Sequence, residues 1–231
     1  MRPDRLSSSL IPASNGRDVT NAEPSCGLYA VVEADGAARE RLSAALAAAD
    51  LASVLIVASG ATRLEADDAR PLVDLAQRAG VAALVAGDAA LARVLKADGV
   101  HLQSGAESVA ACEAARGILG ARGIVGVDAG ISRHDAMTLA EAGADYVAFG
   151  APAHLKDRDK ARARRDELVA WWAEIFEVPC VAFDVEAPEE AARLARAGAD
   201  FIAVRLAAES SAAVSERLAA IAEALHMSEA A

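Results

Sequence analysis

From Gly27 onward, short apolar runs alternate with longer Ala-rich segments whose apolar positions recur at i, i+3 and i+4. The runs fall at 28–33, 53–58, 81–86, 99–103, 123–128, 145–150, 179–184 and 200–205, and they predict eight strands. Helical periodicity predicts helices over 37–49, 67–79, 88–97, 107–120, 133–142, 166–176, 188–197 and 211–226. Strict in–out alternation is missing from the runs, which fits parallel strands covered on both faces. Eight strand–helix units within one domain's length point to the α/β class and a single (β/α)8 barrel, the TIM-barrel architecture. Periodicity cannot show closure, so a doubly wound open sheet is the alternative.

An internal repeat supports the barrel. Residues 142–150 (AGADYVAFG) and 197–205 (AGADFIAVR) are near copies, with looser ones at 96–103 (KADGVHLQ) and 78–85 (RAGVAALV). Each reads as a helix end, a turn suited to a left-handed glycine, and a strand, so the repeated glycine has a structural task.

Composition then narrows the picture. The 231 residues are 54% hydrophobic but only 3% aromatic, so the core must be built from Ala, Val, Leu and Ile. A net charge of −11 argues against nucleic acid or an anionic membrane as partner, and no basic stripe reverses this locally. Cys26, Cys112 and Cys180 are widely spaced and odd in number, which reads as reduced thiols. No apolar stretch is long enough to span a bilayer. Residues 1–25 lack the apolar centre of a secretory signal and read as a disordered leader, with the barrel at 26–226 and a tail at 227–231. A cytoplasmic location is expected.

In such a barrel, chemistry gathers at the C-terminal ends of the strands. There the sequence places Glu33, Gly87-Asp88, His101, Gln103, Asp128, the segment 150–158 with Lys156 and Arg158, Asp184 and Arg205. Asp88 and Ser132 each precede a helix and are expected as N-caps; a turn-capping role is the alternative for Asp184. Of the adjacent Trp171 and Trp172, one ring should face the barrel and the other the surface, where a homo-oligomer contact is one use for it. The basic run 156–165 reads as a solvated face, or as an anion-binding lid.

Several blocks resemble the thiamine phosphate synthase/TenI family. They are 95–105 (LKADGVHLQSG), 141–150 (EAGADYVAFG), 178–182 (VPCVA) with 197–200 (AGAD), and 28–32 (LYAVV). The resemblance implies a transferase of thiamine biosynthesis that joins hydroxymethylpyrimidine diphosphate to thiazole phosphate with Mg²⁺. It also implies site positions, most of which have changed. The family's Gln-x-Arg-x-Lys set falls on Ile56, Ala58 and Gly60, and its Asn-Asp pair on Ala86-Gly87 with Asp88 one place displaced. A second metal Asp falls near Ala106-Glu107, so Asp88 and Glu107 are the candidate Mg²⁺ ligands. The Ser that meets pyrophosphate falls on Asp128, and the TenI catalytic His on Gly130. The family Lys falls on Arg158, its Gly-Gly on Asp184-Val185, and its last Ser on Leu206 beside Arg205.

These replacements argue against ordinary synthase activity, since losing one preorganised charged contact costs about 2–4 kcal/mol of transition-state stabilisation. Three readings follow: a specialised enzyme of thiamine metabolism, a different acid–base enzyme using Asp128 and Asp184, or a non-catalytic binder of a ligand or partner. A small-molecule ligand, with a phosphorylated one as an option, is expected at His101, Gln103, Lys156, Arg158 and Arg205, and the non-catalytic reading also allows a partner bound at the rim or the Trp171-Trp172 helix.

Overall fold

A computed structural model describes residues 26–60, 63–151, 156–206 and 210–229. The strands are β1 (Gly27–Ala34), β2 (Leu51–Ala58), β3 (Ala82–Ala86), β4 (Gly99–Leu102), β5 (Ile124–Asp128), β6 (Tyr146–Phe149), β7 (Cys180–Ala182) and β8 (Phe201–Leu206). They alternate with α1 (Ala38–Ala48), α2 (Ala66–Arg78), α3 (Ala89–Leu95), α4 (Ser108–Leu119), α5 (Arg133–Glu141), α6 (Arg158–Ile175), α7 (Pro188–Arg196) and α8 (Ser211–Glu229). All neighbours pair in parallel, and β8 returns to β1 with Val31 opposite Arg205, so the sheet is a closed barrel and not an open one. Among the described residues, no helix is long and apolar enough to cross a membrane.

Two separate apolar layers result from the alternation of side chains along each strand. Leu28, Ala30, Val32, Val54 and Ile56 face the helices, while Tyr29, Val31, Leu55, Leu84, Ile124, Tyr146, Val181 and Ala203 fill the barrel interior. Space inside is limited. A Cβ on Gly126 of β5 would overlap the Tyr146 ring of β6, so glycine makes room for the tyrosine next door.

The repeat seen in the sequence has a concrete geometry. Asp98, Asp145 and Asp200 each accept the backbone N–H that opens the preceding strand, from Ala83 (2.8 Å), Val125 (2.7 Å) and Cys180 (2.8 Å). The turn before each aspartate uses a positive φ, supplied by Gly143 (90°) and Gly198 (97°), and in the third copy by Lys96 (57°). Asp88 and Ser132 are N-caps as expected, accepting from the amides of Leu91 and Asp135.

The clearest departure from the sequence pattern is α6, which starts at Arg158 and not near residue 166. Its inward face reads Ala161, Arg165, Leu168, Val169 and Trp172, so a buried arginine interrupts the apolar stripe that would have signalled the first two turns. Most of the basic run is therefore helix. Trp172 is buried and Trp171 half-buried, with Arg133 lying 4.7 Å over the Trp171 ring. At the other end, α8 continues past His226 to Glu229. Residues 1–25 lie outside the described residues. We expect Gly126→Ala to destabilise the barrel by about 1–3 kcal/mol through overpacking against Tyr146. Calorimetric melting checks this, and an unchanged midpoint would contradict the tight interior.

Candidate functional site at the barrel mouth

Beneath the mouth runs a chain of buried polar side chains. The Tyr29 and Tyr146 hydroxyls are 2.9 Å apart, and the Tyr146 hydroxyl is 2.9 Å from His101 Nδ1. Phe183, just beyond β7, stacks on the imidazole at 5.0 Å between ring centroids. Burial pushes His101 down to about 4 and raises both tyrosines above the usual phenol range, so the chain is neutral near pH 7. His101 thus lies buried below the rim position expected from the sequence. The parity of β4 turns it inward one layer too deep, and Gln103, two residues on, is the exposed position at the rim.

Asp128 closes β5 at the mouth. One carboxylate oxygen accepts the Gly130 amide at 2.8 Å and the other the Ser104 hydroxyl at 3.4 Å. Burial raises its pKa; the Gly130 hydrogen bond opposes that, and the nearby charge of Asp184 adds to it. Among the described residues no cation pairs with Asp128. Asp184 itself adopts φ 58°, unusual for a residue with a Cβ, and accepts the Ala151 amide at 3.0 Å. The structure thus brings together the two carboxylates singled out in the sequence.

What holds Asp184 in place is a residue that sequence reasoning missed. Arg165 is fully buried and donates to the carbonyls of Phe183 (3.0 Å) and Asp184 (3.3 Å). The same guanidinium binds Glu190 at 2.7 Å and Asp166 at 2.8 Å. Glu190 in turn accepts the Glu186 amide at 3.0 Å, so one ion pair clamps both ends of the loop after β7. A lone arginine within a run of exposed charge carries no signal of burial in the sequence.

The other expected ligand-holding cations are placed differently. Arg205 pairs with Glu33 at 3.2 Å across the β1–β8 seam, not with Asp128 or Asp184. Arg158 reaches Glu186 at 3.1 Å, a carboxylate it shares with Arg162 at 2.8 Å. Lys156 is exposed just ahead of α6. On β2, Ile56 and Ala58 face the helices while Leu55 and Val57 face inward, so the implied Gln-x-Arg-x-Lys register shifts by one residue. The inward pair is apolar. Ala86 packs inward on β3, and Val185 and Leu206 face outward into the core.

The donor set does not suit Mg²⁺, which demands near-octahedral oxygen coordination. Both Asp88 oxygens are committed, one to the Leu91 amide at 2.9 Å and the other to Arg63. These bonds hold its carboxyl below the usual range. Glu107 sits exposed at the start of α4. Among the described residues no three His, Cys, Asp or Glu side chains form a metal-sized cluster.

Comparison with known proteins places these features in context. The family model for thiamine monophosphate synthase (TMP-TENI) matches residues 28–208. The thiamine-phosphate synthase of Erythrobacter litoralis is 44% identical over 138 residues, covering 59% of this chain and 63% of that protein. That of Rhodospirillum centenum is 41% identical over 71% of this chain and 78% of its own length. That of Hyphomonas neptunium is 36% identical over 81% and 87%. Among solved structures, the thiamine phosphate pyrophosphorylase of Pyrococcus furiosus superposes with a TM-score of 0.69 at 21% identity, over 87% of this chain and 96% of that one. This last likeness speaks to the fold.

Two outcomes follow from the geometry. The folded protein resists protonating His101 while the unfolded chain takes up a proton near pH 6.5, so stability falls as the pH drops from 6.5 toward about 4. The share owed to His101 is about 3 kcal/mol, and His101→Asn should remove it from the pH dependence of denaturant unfolding. Replacing Asp184 by Asn should lower the Asp128 titration midpoint, followed by carboxyl NMR. An unmoved midpoint would show that the two carboxylates do not interact.

Proposed function

Since the chain belongs to the thiamine monophosphate synthase family, we propose that it serves thiamine metabolism by acid–base work on a small thiamine-related heterocycle at the barrel mouth. Asp128 is the group that takes or gives the proton. Ordinary Mg²⁺-dependent joining of hydroxymethylpyrimidine diphosphate and thiazole phosphate is not its reaction.

The observation that carries this reading is the state of Asp128: inward-facing, raised by burial and by Asp184, and without a paired cation among the described residues. A carboxyl raised above its ordinary value by burial is suited to act as acid in one step and base in the next. The charge of Asp184 adds to that upward shift, and the Arg165 clamp holds the Asp184 backbone in place. Gln103 and Lys156 are the polar groups left to orient a ligand, while Arg158 and Arg205 are drawn toward Glu186 and Glu33. Those two ion pairs are solvent-exposed and weak, so a phosphorylated ligand that offered better geometry would compete for both arginines.

A second reading, a binder without catalysis, is favoured by one feature. Asp128 and Asp184 each already accept a backbone amide, as purely structural turn caps do.

The reaction assay discriminates. With both family substrates and Mg²⁺, pyrophosphate release should run at least about a thousandfold below that of an intact family member, the cost of losing two charged contacts. Binding of a thiazole-type heterocycle should follow the Asp128 titration and lose that pH dependence in Asp128→Asn. Turnover at the rate of an intact enzyme would overturn the proposal. Binding that is unaffected by Asp128→Asn would favour the non-catalytic reading.

A further inference from the structure

The face opposite the mouth carries a cleft of about 440 Å³ between the α3–β4 and α4–β5 connections. Three cations line it, Arg93, Lys96 and Arg122, with Ile118 and Leu119 along one edge. In a chain of net charge −11, several cations elsewhere are drawn into pairs. Arg63 meets Asp88, Arg116 meets Asp145, Arg193 meets Asp166, and Arg205 meets Glu33. None of the three cleft cations makes an ion pair among the described residues.

Lys96 supplies an independent sign that a side chain is wanted here. It occupies the left-handed turn position that the two other copies of the repeat fill with Gly143 and Gly198. Glycine takes that conformation without steric penalty and a residue with a Cβ does not. The fold thus has a better residue for the turn, uses it twice, and keeps a lysine where the turn borders the cleft. Stabilising the end of α3 does not require it, because Arg93 already sits in the last turn of that helix.

The groups that would repel an anion are already occupied. Asp98, the one carboxylate in the lining, accepts the Ala83 amide at 2.8 Å and the Gln77 side-chain amide at 3.1 Å. Gln77 also covers the Lys96 carbonyl at 2.9 Å, and Arg116 covers those of Gly120 (3.1 Å) and Gly123 (2.6 Å).

We propose that this cleft is a second ligand site, for a small phosphorylated molecule whose phosphate groups are held by Arg93, Lys96 and Arg122. The volume falls in the range of small-molecule pockets, and the Ile118–Leu119 edge accommodates an apolar portion. The site lies at the other end of the barrel from Asp128 and Asp184, so it stands whether or not the reading of the mouth does.

Titration of the full chain with inorganic pyrophosphate, followed by amide NMR, tests it. Saturable shifts should be confined to residues 93–98 and 118–124 and weaken with salt. Lys96→Gly should reduce affinity by at least about tenfold, the effect of losing one charge-assisted contact, and Arg122→Ala should do the same. Lys96→Gly should meanwhile leave the thermal midpoint unchanged or raise it, since glycine relieves the turn. Absence of saturable binding at millimolar pyrophosphate would overturn the proposal. So would affinity unchanged in both variants, or shifts that map to 103, 128 and 184 at the mouth.

Discussion

In a closed parallel barrel the position of a residue along its strand leaves it two destinations, the helical layer or the interior, and every feature of the mouth depends on that choice. Tyr29, His101 and Tyr146 all fall on inward positions, and they share the interior only because Gly126 has no side chain there. The same parity that buries His101 carries the end of β5 inward as Asp128. It also turns Ile56 and Ala58 of β2 away from the mouth, leaving apolar Leu55 and Val57 to face it.

Above that interior the electrostatics are those of a structure that holds its own charges. Arg165 spends its donors on two loop carbonyls and two carboxylates. Removing one partner of such a buried pair leaves an uncompensated charge, which is far more damaging than the pair is stabilising. The clamp keeps the loop after β7 rigid and leaves Asp184 in a strained turn facing Asp128. The relatives named as thiamine-phosphate synthases are 36%, 41% and 44% identical to this chain over the parts they match.

The fold was legible in the sequence because its determinants are local and repeated. Eight apolar runs, helical spacing between them and the Gly-Ala-Asp turns all report on neighbours within a few residues. Asp88 and Ser132 were readable as caps for the same reason. Closure was not, since it rests on β1 meeting β8 across the whole chain. Nor was the pairing of Arg205 with Glu33, 172 residues apart. The start of α6 was hidden because a buried arginine sits where an apolar residue would mark the helix face. The positions of Asp128 and Asp184 at the C-terminal ends of β5 and β7 were readable from the strand ends alone, whereas the depth of His101 needed the register of β4.

The function of the mouth depends on whether its side chains are committed to the fold and closed to Mg²⁺ and pyrophosphate. A crystal structure after soaking with both tests this most directly. We expect no metal at the mouth, with Asp88 still accepting the Leu91 amide and bound to Arg63, and Arg205 still on Glu33. A Mg²⁺ ion ligated by Asp88 and Glu107, with pyrophosphate between it and Arg158 or Arg205, would contradict it.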